Sequence, residues 1–403
     1  MLSVEKIIPG GYGLGTLSDG KKIFLWNALP GEVIEEYDTT KLKSHFVEGI
    51  ATKISHPSSH RVAPRDDCFL ATSPWQMMDY NYELELKSSL VVEIFREHQI
   101  EIPTPQVLTD GKDYFYRNKM EYSLYWDNDI EKIQLAFHAR GSHRKIPVAS
   151  SSIERPELFK AAQNIVDDLN SRHEEARKYQ SLLLRANQRG EVSGGLFENG
   201  KPHPHFNHLT DIILGHTYSY SPNGFFQINL PVYEMALTEI NRHITTSKVL
   251  DLYSGVGTIG LSVARDKDLT LVECDKSAFD EMRKNIISDS IDQSPSMYSA
   301  KTAQKVRSGN ILAILSKSED AIDYITHDQT VILDPPRAGL DRRLTERLLE
   351  VLPPTIIYLS CNPATQARDV AILLQKYHLD LVKTYNFFPR TPHIENLVVL
   401  SLT

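Results

Sequence analysis

The chain has 403 residues, a formal net charge of −8 and 41% hydrophobic residues. This length exceeds one ordinary domain, so two or three domains are expected. No apolar run reaches the roughly 18 residues that a membrane-spanning helix needs, which excludes a membrane protein of that kind. The acidic balance confines any binding of nucleic acid to local basic patches. Three cysteines are too few for a disulfide framework, and they predict a reducing, cytoplasmic location.

Residues 1–58 have the pattern of a small β-barrel. Four glycines lie between residues 10 and 15, and Asp19-Gly20 is typical of a hairpin turn. Several short strands in fewer than 60 residues favour a barrel of the OB type. The segment GGYGLGTLSDGKKIFLWNALPGE resembles a TRAM domain, and this resemblance implies RNA binding.

Residues 59–219 are predicted to form an antiparallel α+β domain. Helices are expected at residues 80–98 and 156–172. Residues 80–107 could pack with the C-terminal part instead of with this domain. Cations and aromatic residues alternate between residues 110 and 147, a composition suited to phosphate and base contacts. The sequence fits two interpretations of Arg140, Arg144 and Lys145: they contact RNA, or they lie on a solvated strand face.

The remaining residues, 220–403, have the alternating pattern of an open α/β sheet. The stretch KVLDLYSGVGTIGLSVAR, residues 248–265, predicts a strand, a glycine turn and a helix, and Glu273 ends the next strand. This fits a dinucleotide site and an S-adenosylmethionine site equally well. Strands are also expected to end at Asp251, Asp334 and Cys361, whose side chains would then meet at one edge of the sheet. The polar segment 289–304 is predicted to be a loop.

Cys361 stands out because it follows a predicted strand, where nucleophiles are often displayed, rather than lying inside it. Glu395 precedes the last predicted strand, 397–402, with Arg390 and His393 nearby. A thiol and a carboxylate in one site indicate covalent catalysis followed by proton abstraction. In the segment SPNGFFQIN, Phe225 or Phe226 could stack on a flipped base.

Several motifs together resemble the RNA uracil-C5 methyltransferases, the family that makes 5-methyluridine in tRNA and ribosomal RNA. They are LDLYSGVGTIG, ILDPPRAGL, YLSCNPATQARDV and PRTPHIENLVVL, with FYRNKMEYS, GSHR and NGFFQIN in support. The resemblance spans nearly the whole chain. It implies a multidomain protein with a TRAM barrel, a central α+β domain and a Rossmann-like α/β methyltransferase domain. It also decides the cofactor in favour of S-adenosylmethionine.

The resemblance further implies the roles of single residues. Cys361 would add to C6 of uracil, and Glu395 would remove the C5 proton. The residues that match cofactor-binding positions are Gln227, Tyr253, Thr258, Glu273, Asn310 and Asp334. Many members carry a four-cysteine iron–sulfur site around residues 68–77, but here Pro74-Trp75-Gln76-Met77 follows the lone Cys68, so no cluster and no metal are expected.

Two other classes explain part of the pattern. A nicotinamide-dependent oxidoreductase would account for the glycine turn but not for Cys361 with Glu395. An RNA-binding module without catalysis would account for the barrel and the basic stretch but not for the catalytic set. We therefore expect a monomeric enzyme that binds tRNA or ribosomal RNA and no membrane.

Overall fold

The computed structural model describes residues 1–149, 151–203, 206–288 and 305–403. The predicted loop at 289–304 lies outside these ranges. Within the described residues, no helix has the length and apolar character needed to cross a membrane.

The N-terminal part forms a closed β-barrel, as the sequence predicts. Its strands are β1 (Leu2–Ile7), β2 (Gly13–Thr16), β3 (Lys22–Trp26), β4 (Val33–Leu42) and β5 (Phe46–His56). They follow the order β1-β2-β3-β5-β4, and β4 pairs with β1 to close the barrel. Alternate residues such as Leu2, Val4, Ile23 and Leu25 point inward and fill it.

A connecting segment follows the barrel. It contains α1 (Phe69–Thr72), a 3-10 helix (Pro74–Met77), α2 (Tyr80–Glu97) and β6 (Val107–Leu108). Helix α2 begins where the Asp79 carboxylate accepts hydrogen bonds from the backbone N–H groups of Asn81 and Tyr82. Its length matches the helix predicted at residues 80–98.

The central part is an antiparallel sheet covered by one helix. Its elements are β7 (Lys119–Asp127), β8 (Lys132–His138), β9 (Lys145–Pro147), α3 (Pro156–Ser171), a 3-10 helix (Ala176–Lys178), β10 (Ser181–Ala186), β11 (Val192–Glu198) and β12 (Lys201–His203). The strand order is β12-β11-β10-β7-β8-β9. Buried residues of α3, among them Leu158, Ala162 and Leu169, pack on this sheet.

The C-terminal part is a large mixed sheet with helices on both faces, preceded by a separate two-stranded sheet at residues 209–220. Its elements are β13 (Leu209–Ile213), β14 (His216–Tyr220), α4 (Leu230–Arg242), β15 (Lys248–Leu252), α5 (Thr258–Val263), β16 (Asp268–Glu273), α6 (Lys276–Ser288), β17 (Lys305–Ser308), β18 (Ile311–Leu315), 3-10 helices at Ser318–Asp320 and Ile322–Tyr324, β19 (Gln329–Leu333), α7 (Arg342–Val351), β20 (Thr355–Ser360), α8 (Pro363–Leu373), β21 (Tyr377–Tyr385) and β22 (Glu395–Leu402). The last strand therefore begins at Glu395, two residues earlier than predicted.

The strand order of this sheet is β17-β18-β16-β15-β19-β20-β22-β21-β6. Strands β18, β16, β15, β19 and β20 are parallel, whereas β22 runs antiparallel to β20 and to β21. Leu250 and Val249 on β15 belong to two separate cores on opposite faces, so both faces of the sheet are buried.

Two segments from outside residues 220–403 join this body. Helix α2 contributes Leu90 and Ile94 to one core, and β6 pairs with β21 at the edge of the sheet. The hairpin β13–β14 contributes Leu209 and Tyr218 to the other core. The C-terminal sheet is thus completed by residues that precede it by more than a hundred positions.

Candidate active site

A cavity of about 860 Å³, here called the main cavity, opens at the carboxyl edge of the C-terminal sheet. It lies between the neighbouring strands β15 and β19, whose following strands β16 and β20 lie on opposite sides of this pair. Open α/β sheets bind their ligands at this switch point. The residues predicted from the sequence that line it are Gln227, Tyr253, Thr258, Glu273, Asp334, Cys361 and Glu395.

The glycine turn after β15 forms the floor of the main cavity. Gly257 directly precedes α5 and has a φ of 88°. A residue with a side chain would adopt this left-handed conformation only with strain. A Cβ at Gly260 would lie 2.5 Å from Leu271 and 2.8 Å from Asp251, so only glycine fits there. The turn therefore has the backbone shape that lets a ligand approach its N–H groups closely.

Asp251 differs from its predicted position at a strand end. It lies inside β15, is fully buried, and accepts a hydrogen bond of 2.9 Å from the backbone N–H of Gly260. Burial raises the pKa of this carboxyl to about 8. Asp251 does not line the main cavity, because β15 continues one residue further and turns the side chain towards the glycine turn. Its role is to hold that turn.

Glu273 ends β16 beside the glycine turn. Its two carboxylate oxygens accept hydrogen bonds from the backbone N–H groups of Gly255 (2.8 Å) and Asp275 (2.6 Å). The carboxylate is thereby fixed at the rim of the main cavity. Carboxylate oxygens accept several hydrogen bonds at once, so it remains able to accept from a hydroxyl-bearing ligand.

Asp334 follows β19 and faces the main cavity. Burial raises the pKa of its carboxyl to about 7, and no cation among the described residues offsets that effect. Arg337, three residues later, is exposed and lies 3.3 Å from Nδ1 of His393. The backbone carbonyl of Arg337 accepts a hydrogen bond of 2.8 Å from the Asn362 side chain, which ties this turn to the residue after Cys361.

Cys361 follows β20 and is partly buried. Burial, Glu395 and Asp334 raise the pKa of its thiol to about 11, whereas Arg337 acts in the opposite direction through its charge and a hydrogen bond. A pKa in this range favours the protonated thiol over the thiolate at neutral pH. Arg337 is the neighbour that favours the reactive thiolate.

Glu395 begins β22, and only 5% of it is exposed. Burial and the nearby Asp334 raise the pKa of its carboxyl well above the ordinary value, and Arg337 partly offsets this. A buried carboxylate with a raised pKa is a stronger base than a solvated one, which suits proton abstraction from carbon. His393, two residues earlier, also lines the main cavity.

The segment between β14 and α4 forms one wall of the main cavity. Phe225 is 72% exposed, whereas Phe226 is buried and stacks on Tyr220 with ring centroids 3.8 Å apart. The buried Arg185 lies over both stacked rings. The carbonyl of Gln227 accepts a hydrogen bond of 3.1 Å from Asn118 of the central part. The exposed ring of Phe225 is thus presented from a rigid base.

Asn310 is the predicted site residue that the structure does not bring to the main cavity. It precedes β18 and so lies at the amino end of the parallel strands, whereas the cavity lies at their carboxyl ends. Its amide donates a hydrogen bond of 2.8 Å to the carbonyl of Arg265. The resemblance implied a cofactor role for Asn310, whereas its place before β18 puts it at the opposite edge of the sheet.

The basic stretch divides into different environments. The Arg140 guanidinium lies 4.0 Å from the ring of Trp26 in the barrel and donates a hydrogen bond to the carbonyl of Leu70. Lys145 donates to the carbonyl of Leu124, whereas Arg144 is exposed. Arg140 therefore joins the barrel to the central part, a contact that the sequence pattern did not predict.

Arg117 and Arg337 are cations that line the main cavity; Arg117 belongs to the basic stretch predicted to contact RNA, whereas no role was predicted for Arg337. Both belong to quoted motifs, FYRNKMEYS and ILDPPRAGL, so the signal was present. Their convergence with Cys361 from separate parts of the chain became visible only in three dimensions.

The segment around Cys68 is organised by a buried glutamine. The side-chain amide of Gln76 donates to Asp66 (2.7 Å) and Ser73 (2.6 Å) and accepts from the backbone N–H groups of Arg65 and Asp66. Burial raises the pKa of the Cys68 thiol to about 12. Among the described residues no cluster of three or more potential metal ligands exists.

Comparison with known proteins supports a methyltransferase fold. The structure superposes with a TM-score of 0.74 on a Pyrococcus abyssi tRNA (uracil-54, C5)-methyltransferase solved with S-adenosyl-L-homocysteine, at 23% identity over 99% of this chain and 100% of that one. This likeness shows the fold: a doubly wound α/β sheet with appended domains.

Sequence comparison gives a family match for the C-terminal part. Residues 213–403 match the tRNA (uracil-5-)-methyltransferase family. An RNA methyltransferase of Bacillus anthracis is 26% identical over 100% of this chain and 96% of its own length, and one of Staphylococcus aureus is 28% identical over 99% and 97%. The family match thus covers the C-terminal part, and both relatives that match over nearly the whole chain are RNA methyltransferases.

Proposed function

We propose that the protein transfers a methyl group from S-adenosylmethionine to C5 of a uridine in RNA through a covalent adduct with Cys361. The observation that carries this proposal is the meeting of Cys361, Glu395 and Asp334 in the main cavity beside the glycine turn. A thiol nucleophile, a buried base and a cofactor turn are the parts that C5 methylation of uracil needs.

The residues of the main cavity fit S-adenosylmethionine. Its sulfonium and ammonium groups are cations, and the Asp334 carboxyl faces the cavity with a pKa raised by burial and no offsetting cation. Glu273 lies at the rim beside the glycine turn, where a carboxylate can accept from ribose hydroxyls. When bound, the cofactor supplies an electrophilic methyl group.

Cys361 opens the reaction. Its thiol releases a proton to solvent, the sulfur forms a bond to C6 of uracil, and the electrons of the C5–C6 double bond move to C5 as an enolate. C5 then accepts the methyl group. Arg337 favours the thiolate, since its charge and hydrogen bond lower the pKa of the thiol.

Glu395 completes the reaction. Its carboxylate takes the proton from C5, the C5–C6 double bond forms again, and the bond between C6 and sulfur breaks. The raised pKa of Glu395 makes its carboxylate a strong base. This order requires the ionised form of Glu395, which the neighbouring Arg337 favours.

The target base must leave its stack to reach Cys361. Phe225 at the mouth of the main cavity offers an exposed ring for such a base, and the Phe226–Tyr220 stack behind it resists displacement. We assign residues 1–58 as a TRAM domain, 59–219 as a central RNA-binding domain and 220–403 as the methyltransferase domain. In this arrangement residues 80–107 pack with the methyltransferase domain, as α2 and β6 do.

The family match and the fold favour tRNA as the first substrate to examine. The test uses tRNA and ribosomal RNA from cells lacking the gene, incubated with protein and methyl-tritiated S-adenosylmethionine. Nuclease digestion and mass spectrometry should locate label in 5-methyluridine at one position. Label in another base, or none in either RNA, would refute the proposal.

A further inference from the structure

The first turn of the barrel packs directly against the segment that leads to Glu395. Gly11 has φ 93°, and a Cβ there would lie 2.5 Å from Cβ of Pro392. The Trp75 indole also donates to the carbonyl of Gly11 (3.4 Å). Only glycine permits this approach, and it brings the barrel to the residue before His393.

A second cavity of about 340 Å³, here called the barrel-side cavity, lies beside this contact. The barrel contributes Tyr12 and Trp26 to its wall. The barrel-side cavity and the main cavity share Arg337, Cys361 and His393. The thiol of Cys361 therefore lies between two cavities, of which the proposed chemistry uses one.

The wall on the barrel side carries an aromatic platform and a cation. Tyr12 is half-buried, and its ring centroid lies 4.4 Å from that of Trp26. The Arg140 guanidinium covers Trp26, so Tyr12 is the ring left accessible to a ligand. Within the described part of the chain no carboxylate pairs with Arg140. Such a combination suits a nucleobase stacked on an aromatic ring with its phosphate near a cation.

We infer that the barrel-side cavity binds the base of a nucleotide adjacent to the target uridine, which stacks on Tyr12. The inference rests on the proposed function, which places the target uridine next to Cys361. Neighbouring nucleotides are covalently linked, so a uridine in the main cavity brings the next nucleotide to the shared wall. Stacking on Tyr12 is indifferent to base identity, so this site holds the strand in register without reading its sequence.

The test uses a fluorescent single-stranded RNA pentamer with 5-fluorouridine at its centre, and copies in which one flanking nucleotide lacks its base. Fluorine at C5 cannot leave as a proton, so the Cys361 adduct accumulates and fixes the register of the RNA. Binding is measured separately by anisotropy with Cys361→Ala. Both assays compare Tyr12→Ala with Phe46→Ala, which removes another half-buried ring of the same barrel that lines neither cavity.

Loss of a base–aromatic stack weakens binding by about 5- to 150-fold. We expect this loss for Tyr12→Ala on the intact pentamer and a similar loss when one particular flanking base is removed. The two losses should not add, because they delete the same contact. Phe46→Ala should bind like the protein with Tyr12 intact.

Additive losses, or equal binding by Tyr12→Ala and Phe46→Ala, would overturn the inference. Adduct formation without any Tyr12 effect refutes the barrel-side site and leaves the proposed function standing. If no adduct forms but the Tyr12 loss and its coupling to one base persist in the anisotropy assay, the proposed chemistry fails and the base site stands.

Discussion

Cys361 and Glu395 lie opposite each other where two antiparallel strands end and begin. Strand β20 ends at Ser360, which pairs with Asn396 of β22, and Cys361 and Glu395 are the next residues on each strand. The strand pairing fixes their separation without any direct bond between the side chains. The backbone of the sheet therefore positions the proposed nucleophile and the proposed base, and both residues line the main cavity.

Replacing Cys361 with alanine should abolish RNA methylation, because the C5 enolate cannot form without sulfur at C6. Binding of S-adenosylmethionine, measured by calorimetry, should persist, since the glycine turn and Glu273 are untouched. The matched control is Cys274→Ala, which removes an exposed thiol. Methylation by the Cys361→Ala protein would disprove the covalent route.

Replacing Glu395 with glutamine should stop the reaction after methyl transfer, because the amide cannot take the C5 proton. Turnover should fall by about 10²–10⁴-fold, and an RNA–protein adduct should accumulate on denaturing gels. Glu350→Gln, at an exposed carboxylate, serves as the control. If Glu395→Gln binds RNA and cofactor but forms no adduct, His393 becomes the next candidate for the base.

The affinity for S-adenosylmethionine should rise with pH through the pKa of Asp334. Burial raises that pKa to about 7, so the carboxyl is largely neutral below this value and ionised above it. A cationic ligand prefers the ionised form, so affinity should increase up to about tenfold between about pH 6 and pH 8. Calorimetry across this range checks the sign.

Two comparisons isolate the contribution of Asp334 to that pH dependence. Asp334→Asn should remove most of it, and S-adenosylhomocysteine, which lacks the sulfonium charge, should show less of it. An unchanged dependence in Asp334→Asn would assign the titration to another group.

Replacing Gln76 with alanine should lower the free energy of unfolding by about 1–3 kcal/mol, because buried partners lose their hydrogen bonds. Those partners include the backbone N–H groups of Arg65 and Asp66. Urea denaturation measures the change, and the exposed Gln375→Ala is the control. Equal stability of the two variants would show that Gln76 does not organise this segment.

The exposed Arg144 is the member of the basic cluster best placed to contact a phosphate. Arg144→Ala should reduce the slope of log K against log salt for RNA binding by about 0.7–0.9, the value of one phosphate contact. Arg177→Ala, at an exposed arginine paired with Glu175, should leave the slope unchanged. A null result for Arg144 would show that this side chain is solvated and contacts no phosphate.

Features that depend on short stretches of chain were predictable from the sequence. The helix at 80–98 followed from its apolar periodicity, and the turn at 255–260 followed from glycines whose spacing the backbone requires. Cys361 was recognisable because a strand pattern stops just before it. In each case the physical cause acts between residues close in sequence.

Relations through space were decided only by the tertiary structure. The resemblance implied that Asn310 contacts the cofactor, but the direction of β18 within the sheet places it at the edge away from the main cavity. Arg140 lies in a basic stretch of the kind that contacts phosphates, but in the fold its guanidinium packs on Trp26 of the barrel. The same packing brought Gly11 to Pro392 and opened a cavity behind Cys361. Packing between distant segments leaves no local periodicity, so these positions could be found only from the fold.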